Sequence, residues 1–190
     1  MANANRPTGL SPVKSLNSPF QGQANIYSIA GDYATAVAIG DPVKSSGTSD
    51  SRGYPGITLA AAGEVIRGVV VGLGLYPTMM ANPANLDSIV RPSAPGVLWY
   101  AIVVDDPSTI FTIQASTAIA AADVGLNADV VAAANNGFVS GYVMAAPTAA
   151  GATAQLRILG IVDSVDNEFG LYAKVLVKIN EDELTSTTGV

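Results

Sequence analysis

Apolar and polar residues alternate near the C-terminal end of the chain, in the stretch LYAKVLVKI (171–179). Successive side chains of an extended strand point to opposite faces, so this alternation predicts a strand with one buried and one exposed face. Such one-sided burial is typical of antiparallel sheets. The residues predicted to share the buried face are Leu171, Ala173, Val175, Val177 and Ile179.

Short apolar segments separated by turn signals continue along most of the chain. About eight to ten short strands with frequent turns predict an all-β fold, jelly-roll-like or a small β-barrel or sandwich, with an extended N-terminal arm and little helix. Only 116–125 and the region near 82–90 favour helix, and both helices would be short. The other predicted strands include ANIYSIAG (24–31), AVAIGDPV (36–43), GVVVGLGLY (68–76), VLWYAIVV (97–104) and TIFTIQ (109–114).

Two further pairs of apolar segments read as hairpins. NNG (135–137) separates ADVVAAA from FVSGYVMAA, and Asn-Gly is a strong turn signal. DNEFG (166–170) separates LRILGIVDSV from the alternating strand at the C-terminal end. In GVVVGLGLY, Gly72 and Gly74 are followed by proline rather than by a helix, so we expect a bend or bulge in a closed sheet and not a nucleotide loop.

The first 24 residues differ from the rest of the chain because prolines interrupt them at Pro7, Pro12 and Pro19. They read either as a disordered tail or as an extended arm that becomes ordered on a partner. We predict an arm (1–24), a β-rich body (25–180) and a solvated acidic tail (181–190), and we expect the body to fold without residues 1–22. The predicted partner contacts of the arm are Arg6, Leu10, Val13, Lys14 and Phe20, with Leu16 as a further apolar anchor.

Composition excludes several classes of function. The chain has no Cys and no His, so it lacks thiolate ligands, the commonest general base and the commonest transition-metal ligand. Its net charge of −6 argues against general affinity for nucleic acid. Only 13% of its residues are charged, but no apolar run is long enough to span a bilayer, and the first residues have no signal-peptide pattern. We therefore expect neither nucleic acid nor membrane as a partner.

Asp105 and Asp106 are the residues that most resemble a catalytic pair. If both lie in a strand, their side chains point to opposite faces and cannot converge on one bond. Pro107 also biases Asp106 to extended geometry, so Asp-Asp-Pro-Ser favours a turn between two strands. Contact with a partner and ion binding remain the alternatives at Asp105, Asp106 and Pro107.

One acidic loop could bind calcium, since calcium takes oxygen ligands and needs no histidine. DSVDNEFG (163–170) places Asp163, Asp166, Asn167 and Glu168 in one turn, but without the spacing of an EF-hand loop. We expect a solvated turn there, and the sequence leaves open whether Asp163, Asp166 and Glu168 bind a cation. No cofactor is predicted, and no serine lies in a nucleophile elbow, so the chain is not expected to be an enzyme.

Taken in order, several stretches of the chain resemble the small capsid cement (decoration) proteins of tailed bacteriophages. The similarity runs over most of the chain and consists of turns and strands rather than a signature motif. The stretches that carry it are RPTGLSPVKSLN, YSIA, AIGDPV, GVVVGLG, YAIVVDDPSTIFTIQ, GLNADVV and RILGIVDSVDNEFGLYAKVLVKINE.

This resemblance implies a virion structural protein, made in the bacterial host cytoplasm and bound to the outer surface of an HK97-type capsid. It implies contact with the major capsid protein and self-association as a homodimer or homotrimer, and it brings no catalytic residues. The alternative is a head-fibre base or host-glycan-binding module, although Trp99 lies in an apolar strand where core packing is expected. A hydrolase that uses Asp105 or Asp106 is a third class.

Overall fold

The structure, a computed structural model, describes residues 3–16, 18–75, 89–149 and 152–185. Strands account for 43% of the chain and helical turns for 4%, so the all-β prediction is confirmed. The strands are β1 (Ser11–Ser15), β2 (Asn25–Ile29), β3 (Val37–Ala38), β4 (Pro42–Ser49), β5 (Pro55–Leu59), β6 (Gly68–Gly74), β7 (Val90–Arg91), β8 (Trp99–Val104), β9 (Thr109–Gln114), β10 (Asn127–Ala128), β11 (Val130–Val131), β12 (Val143–Met144), β13 (Leu156–Ile161) and β14 (Lys174–Ile179).

The strands form two main sheets. Five of them close into a barrel in the order β2-β5-β4-β6-β8, which is antiparallel except where β2 meets β5. Five others form an open antiparallel sheet in the order β1-β9-β14-β13-β10. The pairs β3-β7 and β11-β12 are separate two-stranded sheets. The small barrel left open by the sequence is thus present, beside an open sheet.

Strands β6 and β8 lie between two hydrophobic cores, because both faces of each strand are buried. Val70 and Val103 are paired and belong to the core inside the barrel, with Trp99. Their sequence neighbours Val69 and Val104 point the opposite way, and they pack in the core that the open sheet covers. This double burial explains why both strands read as nearly continuous apolar runs.

The predicted irregularity at Gly72 is confirmed. The register between β6 and β8 shifts between Val70 and Gly72, which is the mark of a β-bulge. A side chain at Gly72 would meet Ile102 at 3.2 Å, so the bulge also brings the strands into close approach.

The C-terminal pair forms as predicted, with β13 and β14 antiparallel. Ala173, Val175, Val177 and Ile179 are buried, but Leu171 is 49% exposed, so its predicted burial is wrong. The strand begins only at Lys174, because Tyr172 has a positive φ of 61° that breaks the extended run.

The pair around NNG also forms, as β11 with β12, but its connection is the long segment 132–142 rather than a tight turn. In that segment Asn135 and Asn136 accept bonds from the amides of Gly137 and Phe138, at 3.1 and 3.0 Å. The asparagines therefore shape local turns within a loop.

The helix predicted over 116–125 is reduced to one 3₁₀ turn, Ala121–Asp123. Ala120 is extended, and Ile119 donates its amide to the carbonyl of Gly170 across the fold, so tertiary pairing outweighs the helix preference of alanine. The other predicted helix, near 82–90, falls mostly outside the described residues, and Val90 belongs to β7.

The segment predicted as a solvated tail packs on the body at its start. Ile66 donates its amide to Glu181 at 2.8 Å, and Glu183 donates its own to Ile66 at 3.0 Å. Asp182 is 5% exposed and caps a 3₁₀ turn, Glu183–Thr185. The solvated-tail prediction is therefore wrong for residues 181–183.

Candidate functional site

The N-terminal segment predicted as an arm lies along this chain's own body. Asn3 donates to the carbonyls of Glu168 and Leu171 at 2.8 and 2.9 Å. The backbone amide of Arg6 donates to Gln114 Oε1 at 2.7 Å, and β1 then pairs with β9. The segment is extended, as expected, and the partner on which it is ordered here is the open sheet.

Leu10 anchors this segment. Its side chain is 1% exposed within the core under the open sheet, and its amide donates to Gly40 at 2.9 Å. Gly9 makes this approach possible, because it has a φ of +66° and a Cβ there would overlap Gly40 and Ser140. The prediction that Leu10 contacts a partner is wrong, since the side chain is already buried within its own chain.

The remaining predicted contacts of the arm divide into two groups. Phe20 is partly buried against the same core as Leu10, so its side chain also contributes to the fold. Arg6, Val13 and Lys14 are exposed, and Val13 is accessible over 47% of its surface. A deletion of residues 1–22 would remove a core side chain and a strand, so the expectation that the body folds without them is corrected.

Asp106 and Pro107 form the predicted turn, which links β8 of the barrel to β9 of the open sheet. The Asp106 carboxylate accepts from the Ser108 amide at 2.8 Å and from the Ser108 hydroxyl at 2.7 Å. The Thr109 amide donates to the Asp106 carbonyl at 3.0 Å and closes the turn. The carboxylate of Asp106 thus accepts hydrogen bonds from a residue within its own turn, as aspartate in turns commonly does.

Asp105 is 8% exposed. Asn25 donates to both of its oxygens, at 2.9 and 3.0 Å, and the Tyr27 hydroxyl donates to Oδ2 at 2.5 Å. The two carboxylates therefore have different hydrogen-bond partners, although both follow the end of β8 at Val104 rather than lying in a strand. This network ties the end of β8 to the start of β2.

Arg67 completes the network from the other side. Its Nε donates to the Tyr27 hydroxyl at 2.8 Å, and its guanidinium lies 5.4 Å from the centre of the Tyr27 ring. Burial, followed by the bond to Asp105, raises the pKa of Tyr27 to about 12, so the phenol stays protonated at neutral pH and keeps donating. The Arg67 guanidinium also lies 3.9 Å from the Glu183 carboxylate.

These side chains border a surface cavity of about 750 Å³, which Pro55, Asp106 and Pro107 also line. Within the network, Asn25, Tyr27 and Arg67 donate to Asp105 or to one another, so these side chains hold each other in place. Only Asp105 of this network stood out in the sequence. Its partners are about 40 to 80 residues away along the chain, and no spacing rule connects them.

A second buried carboxylate, Asp41, lies directly before β4. It is 3% exposed and accepts from the Ala38 amide at 2.8 Å. Burial raises its pKa to about 6, against the opposing effect of bonds from Ser140 and Ala38. Asp41 lines a cleft of about 340 Å³ with Tyr142, whose hydroxyl donates to the carbonyl of Ala60 at 3.0 Å.

Side chains of the acidic loop at 163–170 form hydrogen bonds with each other and with neighbouring backbone carbonyls. Asp166 accepts from the Ser164 hydroxyl at 2.6 Å, and Asn167 donates to the carbonyls of Val162 and Lys174, each at 2.8 Å. Across residues 3–16, 18–75, 89–149 and 152–185, no cluster of three or more acidic side chains could hold a metal ion. Whether Asp163, Asp166 and Glu168 bind a cation stays a question for measurement.

Trp99 is 7% exposed and packs in the barrel core, as its apolar strand predicts. No helix in the described part of the chain is long and apolar enough to cross a membrane. Comparisons with protein-family models, with curated proteins and with solved structures found no match.

Proposed function

We propose that this chain is a capsid cement protein, which binds the outer surface of an HK97-type phage head and bridges neighbouring major capsid protein subunits. The stretches that resemble cement proteins support this proposal, and so does the all-β body. Under it the protein resides on the virion, its partners are the capsid subunits and its own copies, and its mechanism is mechanical rather than catalytic.

The observation that carries the proposal is the exposed outer side of β1. This strand lies at the edge of the open sheet; Val13 and Lys14 within it, and Leu16 just after it, are exposed to solvent. Val13 and Leu16 are 47% and 53% exposed, which is high for apolar side chains next to a cation. Apolar residues bordered by charge are typical of the core and rim of a protein interface.

On a repeated capsid lattice, weak contacts by each copy of the protein are sufficient for stable attachment. Each copy that also touches a second copy or a second capsid subunit binds with an effective concentration set by the lattice, so modest affinity per contact gives firm attachment. Because β1 is already ordered on the body, binding through it avoids the entropy cost of folding a free arm.

The experiment compares Val13→Asp with Val97→Asp for binding to expanded heads of the phage that carries this gene. Val97 is a matched control, because it is 50% exposed and lies outside the open sheet, before β8. We expect Val13→Asp to lower the occupancy of heads, while Val97→Asp binds like the unmodified protein. Full occupancy by Val13→Asp would refute the role of β1, and absence of binding by the unmodified protein would refute the cement function itself.

A further inference from the structure

The outer face of the open sheet carries a row of cations. In the register of the strands, Lys14 of β1 lies opposite Ile110 of β9, Ile110 lies opposite Lys178 of β14, and Lys178 lies opposite Arg157 of β13. Residues directly opposite one another in antiparallel strands point to the same face. Three cations from three strands therefore share one line across the sheet, which is interrupted at β9, where Ile110 is only 4% exposed.

A fourth cation, Lys174, extends this face along β14. Lys174, Leu176 and Lys178 alternate with the buried Val175 and Val177, so all three point outward. We define the basic sheet face as Lys14, Arg157, Lys174 and Lys178. The whole chain has nine cations and a net charge of −6, so almost half of its positive charge is on one side of one sheet.

No acid balances these charges within the sheet. The five strands contain no Asp or Glu, and across the described residues none of the four cations forms an ion pair. Ion pairs join other residues, Lys44 with Glu64 and Arg67 with Glu183. Asp166 stands beyond the end of the sheet, where the bond from Ser164 and, after it, the charges of Lys174 and Arg6 lower its carboxyl pKa.

Protection of a sheet edge explains only part of this pattern. A lysine on an edge strand prevents strands of other molecules from pairing with it, and Lys14 on β1 fits that role. Lys178 does not fit it, because β14 is the central strand of the order β1-β9-β14-β13-β10. Arg157 is also on an interior strand, β13. Ordinary surfaces mix charges of both signs, whereas the five strands of this sheet carry only positive charges.

The same face carries apolar groups between its charges. Leu176 is half-buried, and Leu159 of β13, at the irregularity in the β13–β14 register, is 37% exposed. The five strands place no aromatic side chain on this outer face, whereas surfaces that bind single-stranded nucleic acid use aromatic residues for stacking. The excess of negative charge elsewhere on the chain also repels long polyanions.

We propose that the basic sheet face is a docking surface for an acidic patch of another protein. The four cations supply charge complementarity and orientation, and Leu176 and Leu159 supply the apolar contact between them. The register of the strands and the charges of the four cations support this docking surface whether or not a capsid is the partner. Under the proposed cement function, the acidic patch belongs to the capsid subunit.

The test uses a decaglutamate peptide as the probe, measured by fluorescence anisotropy at low and at physiological salt. The variant Lys14→Gln/Arg157→Gln/Lys178→Gln removes the row and keeps side-chain length similar. We expect it to weaken decaglutamate binding about ten-fold, because ten-fold equals about 1.4 kcal/mol, or roughly 0.5 kcal/mol for each of three exposed pairs. Arg52→Gln is the control for loss of a cation outside the sheet, and Lys14→Arg/Arg157→Lys/Lys178→Arg keeps the charge and should keep binding.

Several results would overturn the proposal. One is failure of the unmodified protein to bind decaglutamate at low salt, and another is equal binding by the triple glutamine variant. Tighter binding to an oligothymidylate strand or to phosphatidylserine vesicles, lost in that variant, would assign the face to nucleic acid or membrane instead. Self-association lost in that variant, measured by sedimentation, would assign it to a second copy. Because the probe contains no capsid protein, its outcome is independent of the head-binding assay.

Discussion

The docking of the N-terminal segment on the body makes the substitution Leu10→Ala informative. Leu10 is 1% exposed and packs with the core under the open sheet, although it lies only nine residues from the start of the sequence. Truncation of a fully buried leucine removes its transfer free energy and leaves a cavity, which together cost about 2–5 kcal/mol. We expect a loss of about 3 kcal/mol, near the middle of that range.

The assay is urea unfolding followed by the fluorescence of Trp99, which is the only tryptophan and lies in the barrel core. For a chain of this length, about 3 kcal/mol corresponds to a fall in Tm of about 6–12 °C. Val13→Ala is the matched control, because Val13 lies in β1 but is 47% exposed, and its truncation should cost less than about 0.5 kcal/mol.

Trypsin cleavage after Lys14 gives a second readout. The bond lies within β1, which pairs with β9, so cleavage requires that the strand opens locally. Leu10→Ala should accelerate this cleavage relative to Val13→Ala. Equal stability of the two variants, together with equal rates of cleavage, would show that residues 3–16 are not part of the fold and would restore the interpretation of a free arm.

Three further predictions follow from buried polar groups and close backbone contacts. Tyr27→Phe removes one of the donors to the buried Asp105 and should lower stability by about 1–3 kcal/mol in urea unfolding; an unchanged midpoint would contradict the network. Because burial raises the pKa of Asp41 to about 6, its protonated form favours folding, so this stabilisation is present below about pH 4 and is lost as the pH rises towards 6. Asp41→Asn should flatten that fall, on the order of 3 kcal/mol, and an unchanged pH profile would exclude this cause. Gly9→Ala should destabilise more than Gly22→Ala, since both residues have positive φ but only Gly9 touches Gly40 and Ser140; equal losses of stability would refute the close approach.

The elements predicted correctly from sequence are those whose cause is local. Alternation in β14 predicts the burial of Val175 and Val177 because the period of a strand is a property of the chain itself. The turn at Asp106 is predictable for the same reason, since the carboxylate bonds to a residue two positions away. The bulge at Gly72 has a local signal in the glycine.

The errors concern residues whose environment is set by distant parts of the chain. Leu10 looked like an anchor for a partner because prolines surround it, but its amide partner, Gly40, is 30 residues away. The Ala-rich segment at 116–125 favours helix locally, and the bond from Ile119 to Gly170 overrides that preference. Asp105 finds Asn25 and Tyr27 only because β8 pairs with β2.

The basic sheet face depends partly on local sequence and partly on pairing between distant strands. Lys174 and Lys178 share a face by local alternation, but only the register between strands aligns Lys178 with Arg157 and Lys14. The sequence predicted Lys14 as a partner contact of a free arm, and the structure gives that residue a different setting, on a docked edge strand that widens a charged face. Under the two proposals, head binding depends on β1 through Val13, and decaglutamate binding depends on β1 through Lys14. If a phage head is the partner, Lys14→Gln should weaken both; if only decaglutamate binding falls, the basic sheet face serves a different acidic protein.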